Sequence, residues 1–244
     1  MNLIIDVGNT LLKLAVFDNQ MLTDKRSCDK VDFISNLEEL SIIHPRITDV
    51  IISSVGNFSE KEILFIQKRY ETIILNHQTK VPFINQYKTP DTLGVDRIAL
   101  VSSAAIQYPK ENILIIDVGS CITYDLLNSK NEYLGGSISP GIDLRYKALH
   151  DYTNKLPLLK PKIIKKTIGN TTKSSIHTGV IQGVVNEIDG FITAYKLKHK
   201  DLTIILTGGG AHYLVDNLKN DIFANSNFLL EGLNYILQNN KTQC

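Results

Sequence analysis

The stretch that decides the fold is LIIDVG, which occurs at residues 3–8 and again at residues 114–119. Each copy is an apolar run that ends in an acidic residue, Asp6 or Asp117, and then turns through a Gly. Second apolar runs follow the turns, at residues 11–17 and 122–127. Two apolar runs joined by a short turn that contains Gly are typical of a β-hairpin. The sequence therefore predicts two related hairpins.

The segments after each hairpin alternate between helical and strand-like patterns, which predicts an α/β plan used twice. The predicted helices are residues 31–40, 59–70, 142–152, 172–197, 211–219 and 231–238, and the predicted strands are residues 50–53, 72–75, 132–138 and 203–207. The break between the two halves falls near residues 108–112. We therefore expect an N-terminal domain over residues 1–110 and a C-terminal domain over residues 111–244.

The composition excludes several classes of protein. With 26 basic and 25 acidic residues the net charge is +1, and no extended basic stripe indicates a nucleic-acid partner. The short KPKIIKK at residues 160–166 is typical of a solvated loop. Three scattered cysteines fit a reducing compartment, and no apolar run approaches the roughly 18 residues of a membrane span. Without a basic, cleavable leader, we expect a cytoplasmic protein with no membrane partner.

An Asp followed by a Gly turn, repeated, indicates a phosphate site. Glycine lets backbone N–H groups approach an anion closely, and the polar residues Asn9 and Ser120 add donors. The Asp at the strand end holds a cation that offsets the phosphate charge. Two such hairpins facing each other could grip a nucleotide from both sides. Asp-x-Gly also occurs in ordinary turns, and the duplication is what favours the functional interpretation.

A third glycine-rich stretch, TGGGAH at residues 207–212, follows a β-branched run and is predicted to open a helix. Such a turn suits either a nucleotide contact or a purely structural tight turn. Its spacing fits neither the dinucleotide-binding nor the P-loop fingerprint, which argues against those two enzyme classes.

Five stretches together resemble the type III pantothenate kinases, a family of the actin, sugar kinase and Hsp70 superfamily. They are DVGNTLLKLAVFD (6–18), YKTPDTLGVDR (87–97), DVGSCITYD (117–125), GGSISPGI (135–142) and TTKSSIHTG (171–179). The second and fourth are diagnostic, because the hairpins belong to the whole superfamily. The resemblance implies duplicated ribonuclease H-like (actin-like ATPase) domains with a nucleotide cleft between them. It also implies transfer of the γ-phosphoryl group of ATP to the primary hydroxyl of pantothenate, the first step of coenzyme A synthesis.

The resemblance also assigns roles to residues of this chain. It makes Asp96 the catalytic base. Its pantothenate contacts are Tyr87, Gly94, Val95, Arg97 and Thr172, and its ATP contacts are Asp6, Val7, Gly8, Asn9, Thr10, Leu11, Leu12, Lys13 and Ser120. Asp117 matches the site of a monovalent cation, potassium or ammonium, and the relatives are homodimers. We expect residues 142–152 to form part of that interface.

The residue chemistry agrees with these roles. Asp96 stands where a helix begins, so its carboxylate can point out of the helix and take the proton of an acceptor hydroxyl. Arg97 suits a two-pronged grip on a carboxylate, and pantothenate has both groups. A helix cap and a surface ion pair are the structural alternatives for these two residues. We expect Asp6 to position Mg²⁺ through water, because Mg²⁺ keeps waters and takes few protein ligands.

Several residues suit either a functional or a purely structural role. Lys13 suits a phosphate contact or an exposed strand position, and His177 on its helix is more typical of packing than of catalysis. The glycines of GGSISPGI suit a structural turn equally well. The family usually has Thr-Ala where this chain has Ser120-Cys121, and Ser keeps the hydroxyl. The competing functions are a non-catalytic accessory or regulatory protein on the same scaffold and another small-molecule kinase of the superfamily.

Overall fold

Each LIIDVG repeat forms the first strand of a β-sheet in the computed structural model, which describes residues 1–9, 11–55 and 58–241. The strands are β1 (Asn2–Val7), β2 (Leu12–Asp18), β3 (Met21–Cys28), β4 (Asp49–Ser54), β5 (Glu71–Ile74), β6 (Ile84–Asn85), β7 (Asn112–Val118), β8 (Cys121–Leu127), β9 (Glu132–Pro140), β10 (Leu202–Thr207) and β11 (Phe223–Ala224). The helices are α1 (Phe33–Ile43), α2 (Glu60–Gln67), α3 (Val95–Gln107), α4 (Ile142–Asp151), α5 (Thr172–Lys196) and α6 (Phe228–Asn240). None of these helices combines the length and apolar character that a membrane crossing requires.

The chain divides into two compact units. Unit 1 comprises Met1–Gln107 and Asn227–Cys244, and unit 2 comprises Tyr108–Ser226. The break after residue 107 lies close to the predicted one, but the C-terminal helix α6 belongs to unit 1 and not to the predicted C-terminal domain. The sequence pattern could not indicate this, because the amphipathic pattern of a helix does not say which sheet it covers.

The two units repeat one sheet topology. In unit 1 the strand order is β3-β2-β1-β4-β5, with β1 antiparallel to β2 and parallel to β4. In unit 2 the order β9-β8-β7-β10-β11 repeats it, with β7 antiparallel to β8 and parallel to β10. Both predicted hairpins are therefore confirmed, and the fold is the predicted α/β duplication.

Helices pack on the sheets and form an apolar core in each unit. In unit 1, Leu3 and Ile5 of β1 pack with Phe33 and Leu37 of α1. The opposite face of β1 and β4 contacts α3 and α6. This burial on both faces explains why residues 3–5 of β1 are an unbroken apolar run. In unit 2 the core joins β7, β8 and β10 to α4 and α5.

Two segments differ from the sequence prediction. Strand β3 was not predicted, because its exposed side chains in MLTDKRSC mask the strand pattern, and it forms through pairing with β2 at the sheet edge. Residues 211–219, predicted as a helix, form only the short 3₁₀ turns Ala211–Tyr213 and Val215–Asn217. Leu214 is fully buried and the Asn217 amide donates to the carbonyl of Ile164, which holds the segment in this irregular path.

Helix α6 is fixed to unit 1 by buried polar bonds and a close approach. The Asn2 amide donates to the Asn234 side chain at 2.6 Å, and the Asn234 amide donates to the carbonyl of Asn19 at 2.8 Å. A Cβ added at Gly232 would lie 2.0 Å from the backbone oxygen of Ala99 in α3. Only glycine therefore allows α3 and α6 to pack at this distance.

We expect Gly232→Ala to destabilise the protein by about 1–3 kcal/mol, because the backbone of α3 must shift to admit the methyl group. The measurement is the midpoint of urea unfolding. Gly190→Ala in α5 is the matched control, since a Cβ there meets nothing within 4 Å. We expect that control to gain up to about 1 kcal/mol from helix propensity. Equal stability of Gly232→Ala and the wild type would contradict the close helix packing.

Candidate active site

The hairpin of unit 1 buries a carboxylate at one strand end and pairs it with a partly exposed lysine. Asp6 is 4% exposed, and Lys13 lies opposite it on β2 with its Nζ 3.2 Å from Asp6 Oδ2. Burial raises the pKa of Asp6, the nearby Lys13 charge works against that rise, and the charge of Asp96 adds to it. An added cation near Asp6 would therefore be favourable.

The turn between these strands is tight, since the Gly8 N–H donates to the Leu11 carbonyl at 3.2 Å. Among the predicted ATP residues, Val7 and Leu12 direct their side chains into the core of unit 1. Asn9 and Leu11 are exposed at the tip. Thr10, also predicted to contact ATP, lies outside the described residues. Lys13, for which two interpretations were open, pairs with Asp6.

The segment LGVDR brings together four of the predicted substrate and catalytic residues of unit 1. Asp96 is half-buried in the first turn of α3, and its Oδ1 accepts the N–H of Arg97 at 2.8 Å. A Cβ at Gly94 would lie 2.3 Å from Asp96 Oδ1, so glycine leaves room for the carboxylate. Val95, the predicted substrate contact between them, begins α3 and is half-buried.

Arg97 and Tyr87 form a second part of this region. Arg97 is 4% exposed, and its Cζ lies 5.6 Å from the centroid of the Tyr87 ring. An arginine this deeply buried needs partners of opposite charge or a π face. The loop ahead of α3 is fixed by His77, whose Nε2 lies 2.9 Å from the Leu93 carbonyl. Tyr87, Gly94, Asp96 and Arg97 therefore form one structured cluster within unit 1.

The hairpin of unit 2 differs from the first in its turn, which is one residue shorter, and in the residue opposite the carboxylate. The Gly119 N–H donates to the Cys121 carbonyl at 2.9 Å, and Ser120 is exposed at the tip. Thr123 lies opposite Asp117 in register, at the position that Lys13 occupies opposite Asp6. The hydroxyl of Thr123 is buried and has no hydrogen-bond partner among the residues that the structure describes.

Two glycine-rich segments close around the second hairpin. Gly208 of TGGGAH has a φ of +92°, and a Cβ there would lie 2.3 Å from Asp117 Oδ1. The Gly210 N–H donates to the Val118 carbonyl at 2.9 Å, so this loop lies against the end of β7. A Cβ at Gly141 would lie 2.4 Å from the carbonyl oxygens of Gly119 and Ser120. Close backbone packing therefore accounts for these glycines.

A groove of about 1270 Å³ in unit 2 runs between α4 and the start of α5. Thr172, the predicted pantothenate contact of this unit, lines it at the first position of α5. Thr171 caps that helix by accepting the Ser174 N–H, which fixes the position of Thr172. Leu149, Ile176 and other apolar side chains form much of the rest of the wall.

A polar network holds Arg145 at this groove. Glu187 of α5 accepts bonds from Arg145 at 2.6 Å, Ser139 at 2.5 Å and Tyr124 at 2.9 Å. Burial raises the pKa of Glu187, but the three hydrogen bonds outweigh burial and lower the pKa overall. His177 bonds instead to the Tyr146 hydroxyl at 2.8 Å, which is the packing role that the sequence favoured.

Three hydroxyl residues near the strand-end carboxylates were not predicted from the sequence to belong to the site: Ser53, Thr123 and Thr207. Ser53 and Thr207 lie beside Asp6 and Asp117 on the parallel neighbours β4 and β10. The sequence carries a signal for Ser53 and Thr207, since each ends an apolar run, VII or IIL. It needs the strand register, however, and a single sequence without pairing does not supply that register.

The comparisons with known proteins agree with this arrangement. The type III pantothenate kinase profile matches residues 2–194. A type III pantothenate kinase from Christiangramia forsetii is 51% identical over 243 residues, covering 100% of both chains. One from Flavobacterium johnsoniae is 44% identical over 238 residues, covering 98% of each.

Solved structures resemble the fold at low sequence identity. A Campylobacter jejuni protein placed in the Baf family of transcriptional activators has a TM-score of 0.62 at 20% identity, with 98% of each chain covered. A glucokinase from an Antarctic psychrotroph has a TM-score of 0.50 at 12% identity, again with 98% of each covered. These likenesses confirm the predicted actin-like fold class, and the profile and sequence relatives decide the family. This chain belongs to the type III pantothenate kinase family.

Proposed function

We propose that this protein transfers the γ-phosphoryl group of ATP to the primary hydroxyl of pantothenate, giving 4′-phosphopantothenate and ADP. The observation that carries the proposal is the cluster at the start of α3. There the Asp96 carboxylate stands beside Gly94, and the buried Arg97 lies against Tyr87. A carboxylate base next to a guanidinium matches a substrate that carries both an alcohol and a carboxylate.

Asp96 acts as the general base in this proposal. As the pantothenate oxygen bonds to the γ-phosphorus, its proton passes to the Asp96 carboxylate. The bond from the γ-phosphorus to the β–γ bridging oxygen breaks, and ADP leaves with that electron pair. Arg97 and Tyr87 bind the acidic end of the substrate and thereby orient its hydroxyl. Val95 and, in unit 2, Thr172 complete the proposed substrate contacts.

The proposed ATP contacts are the hairpin of residues 6–13 in unit 1 and Ser120 in unit 2. The residues at Asp6 fit a divalent cation, because burial makes its ionised form costly and a cation would relieve that cost. Among the described residues no cluster of three or more His, Cys, Asp or Glu side chains could hold a metal. Mg²⁺ bound through one carboxylate and several waters agrees with that, and it would offset phosphate charge.

A monovalent cation at Asp117 is supported by comparing the two hairpins. Asp6 faces the ammonium group of Lys13, whereas the corresponding position opposite Asp117 is Thr123. Unit 2 therefore has a hydroxyl where unit 1 has a positive charge. We propose that potassium or ammonium supplies the missing charge beside Asp117.

The assembly and location of the protein are also proposals. We propose a cytoplasmic homodimer with no nucleic-acid partner. The exposed Leu144 and Tyr152, at and just after helix α4, support an interface that includes the predicted segment 142–152. The catalytic assignment is favoured over an accessory or regulatory role, because Asp6, Asp96, Arg97 and Asp117 are all present.

We expect the purified protein with ATP, Mg²⁺ and potassium to convert pantothenate to 4′-phosphopantothenate, measured by mass spectrometry and by ADP release. Glucose and N-acetylglucosamine serve as control acceptors and should give no product. Absence of phosphopantothenate with correctly folded protein would remove the kinase proposal. Faster phosphorylation of a sugar would favour another activity of the superfamily.

We expect Asp96→Asn to lower kcat by about 10²–10⁴-fold, because the amide cannot accept the hydroxyl proton. ATP affinity, measured by calorimetry, should change far less than kcat, since Asp96 is assigned to the acceptor and acts on the phosphate hairpin only through its charge. Asp29→Asn, at an exposed position outside the cluster, is the control and should leave kcat unchanged. An unaffected rate in Asp96→Asn would exclude Asp96 as the base.

We expect Thr123→Lys to make activity independent of potassium, because a tethered ammonium would take the place of the cation. The wild type should lose most of its activity when potassium is replaced by sodium, measured at constant ionic strength. Thr123→Met, similar in length and uncharged, is the control and should not relieve the potassium requirement. A wild type indifferent to the exchange would remove the monovalent site from the proposal.

A further inference from the structure

Ser53 is a buried hydroxyl beside the proposed phosphate site with no assigned role. Its side chain is fully buried on β4, and its Oγ has no hydrogen-bond partner among the residues that the structure describes. A buried hydroxyl without a partner costs about 1–3 kcal/mol. An unpaired buried group of this kind calls for an explanation, and a water or ion bound in the working state is one.

The position of Ser53 indicates what it binds. Asp6 and Ser53 are register partners on the parallel strands β1 and β4, so both side chains point to the same face of the sheet. Helix α3, which carries Asp96, contacts β4. Ser53 therefore belongs to the Asp6 side of the sheet, and not to the apolar side that packs against α1.

The general spacing of neighbouring parallel strands matches the span of one bridging water molecule. Parallel strands lie about 4.8 Å apart, and one water with two hydrogen bonds of about 2.8 Å bridges oxygens up to roughly 5.6 Å apart. A buried water needs two to four polar partners. Ser53 and Asp6 supply two of them, and a bound cation would supply a third.

Unit 2 repeats the same pair. Thr207 on β10 is the register partner of Asp117, as Ser53 is of Asp6. Thr207 is likewise buried, at 3% exposed. A hydroxyl thus lies beside the strand-end carboxylate on the equivalent strand of both repeats, although the surrounding sequences IISSV and IILTG differ.

We propose that Ser53 and Asp6 together bind one water molecule of the Mg²⁺ shell, so that Ser53 is a positioning residue for the metal–nucleotide complex. This inference rests on the proposed kinase function and deepens it. Ser53 touches neither the nucleotide nor the acceptor in this assignment. Its hydroxyl orients the water that binds the metal, and Asp6 supplies the negative charge that attracts the metal.

The test is ATP affinity by calorimetry with and without Mg²⁺ for Ser53→Ala. We expect the gain in affinity that Mg²⁺ gives the wild type to fall by about tenfold, because one hydrogen bond in the shell is lost. ATP affinity without Mg²⁺ should stay the same. The unfolding midpoint of the ligand-free variant should be unchanged or higher, because the substitution removes an unpaired hydroxyl. A purely structural hydroxyl would instead lower that midpoint.

Two further variants sharpen the result. Ser53→Thr keeps the hydroxyl, as Thr207 does in unit 2, and should keep most of the Mg²⁺-dependent gain. Ser102→Ala removes a buried hydroxyl of α3 that donates to the Ile98 carbonyl at 2.8 Å, and it should leave the gain unchanged.

An unchanged Mg²⁺-dependent gain in Ser53→Ala, with the wild type active, overturns the inference and leaves the kinase proposal standing. A lower unfolding midpoint in Ser53→Ala with the gain intact overturns it in the same way. A wild type whose ATP affinity does not respond to Mg²⁺, and which forms no phosphopantothenate, overturns the proposed function and this inference together.

Discussion

The interaction on which unit 1 depends is the pairing of the Asp6 carboxylate with the Lys13 ammonium at the end of a buried hairpin. A carboxylate that is 4% exposed cannot remain charged without a partner. Lys13 lies directly across the strand pair at 3.2 Å, and the tight turn at Gly8 fixes that register. Below its exposed tip, the hairpin therefore carries a carboxylate whose charge Lys13 already partly balances.

The second repeat has the same carboxylate but no lysine opposite it. Thr123 replaces the lysine, and Gly208 with its positive φ brings the backbone of the loop after β10 close to Asp117. The pairs Asp6–Ser53 and Asp117–Thr207 are preserved. The two repeats thus share a carboxylate and a hydroxyl on parallel neighbours, while the antiparallel neighbour carries a cation in unit 1 and an uncharged hydroxyl in unit 2.

Much of this arrangement could be predicted from the sequence, because apolar periodicity and a repeated motif are local signals. The two hairpins, α3 with Asp96 in its first turn, and α5 with its Thr171 cap all follow from short stretches. Edge strand β3 could not be predicted, since its pairing and not its composition makes it a strand. The docking of α6 on unit 1 and the positions of Ser53 and Thr207 beside the two carboxylates depend on register and long-range packing, which local patterns do not specify.

The charges of Asp6 and Asp96 couple the first hairpin, which is proposed to bind phosphate, to the start of α3. The charge of Asp96 raises the pKa of Asp6, as burial does to a larger extent, so the ligand-free site carries an electrostatic cost that Lys13 only partly offsets. In the proposed function, a cation at Asp6 would relieve that cost, and a polyphosphate would bring such a cation with it. The proposed metal and nucleotide binding would then be favourable for the same reason. The proposed base and the proposed phosphate hairpin are therefore coupled by charge, and an uncharged residue at position 6 would lose both that coupling and the pairing with Lys13.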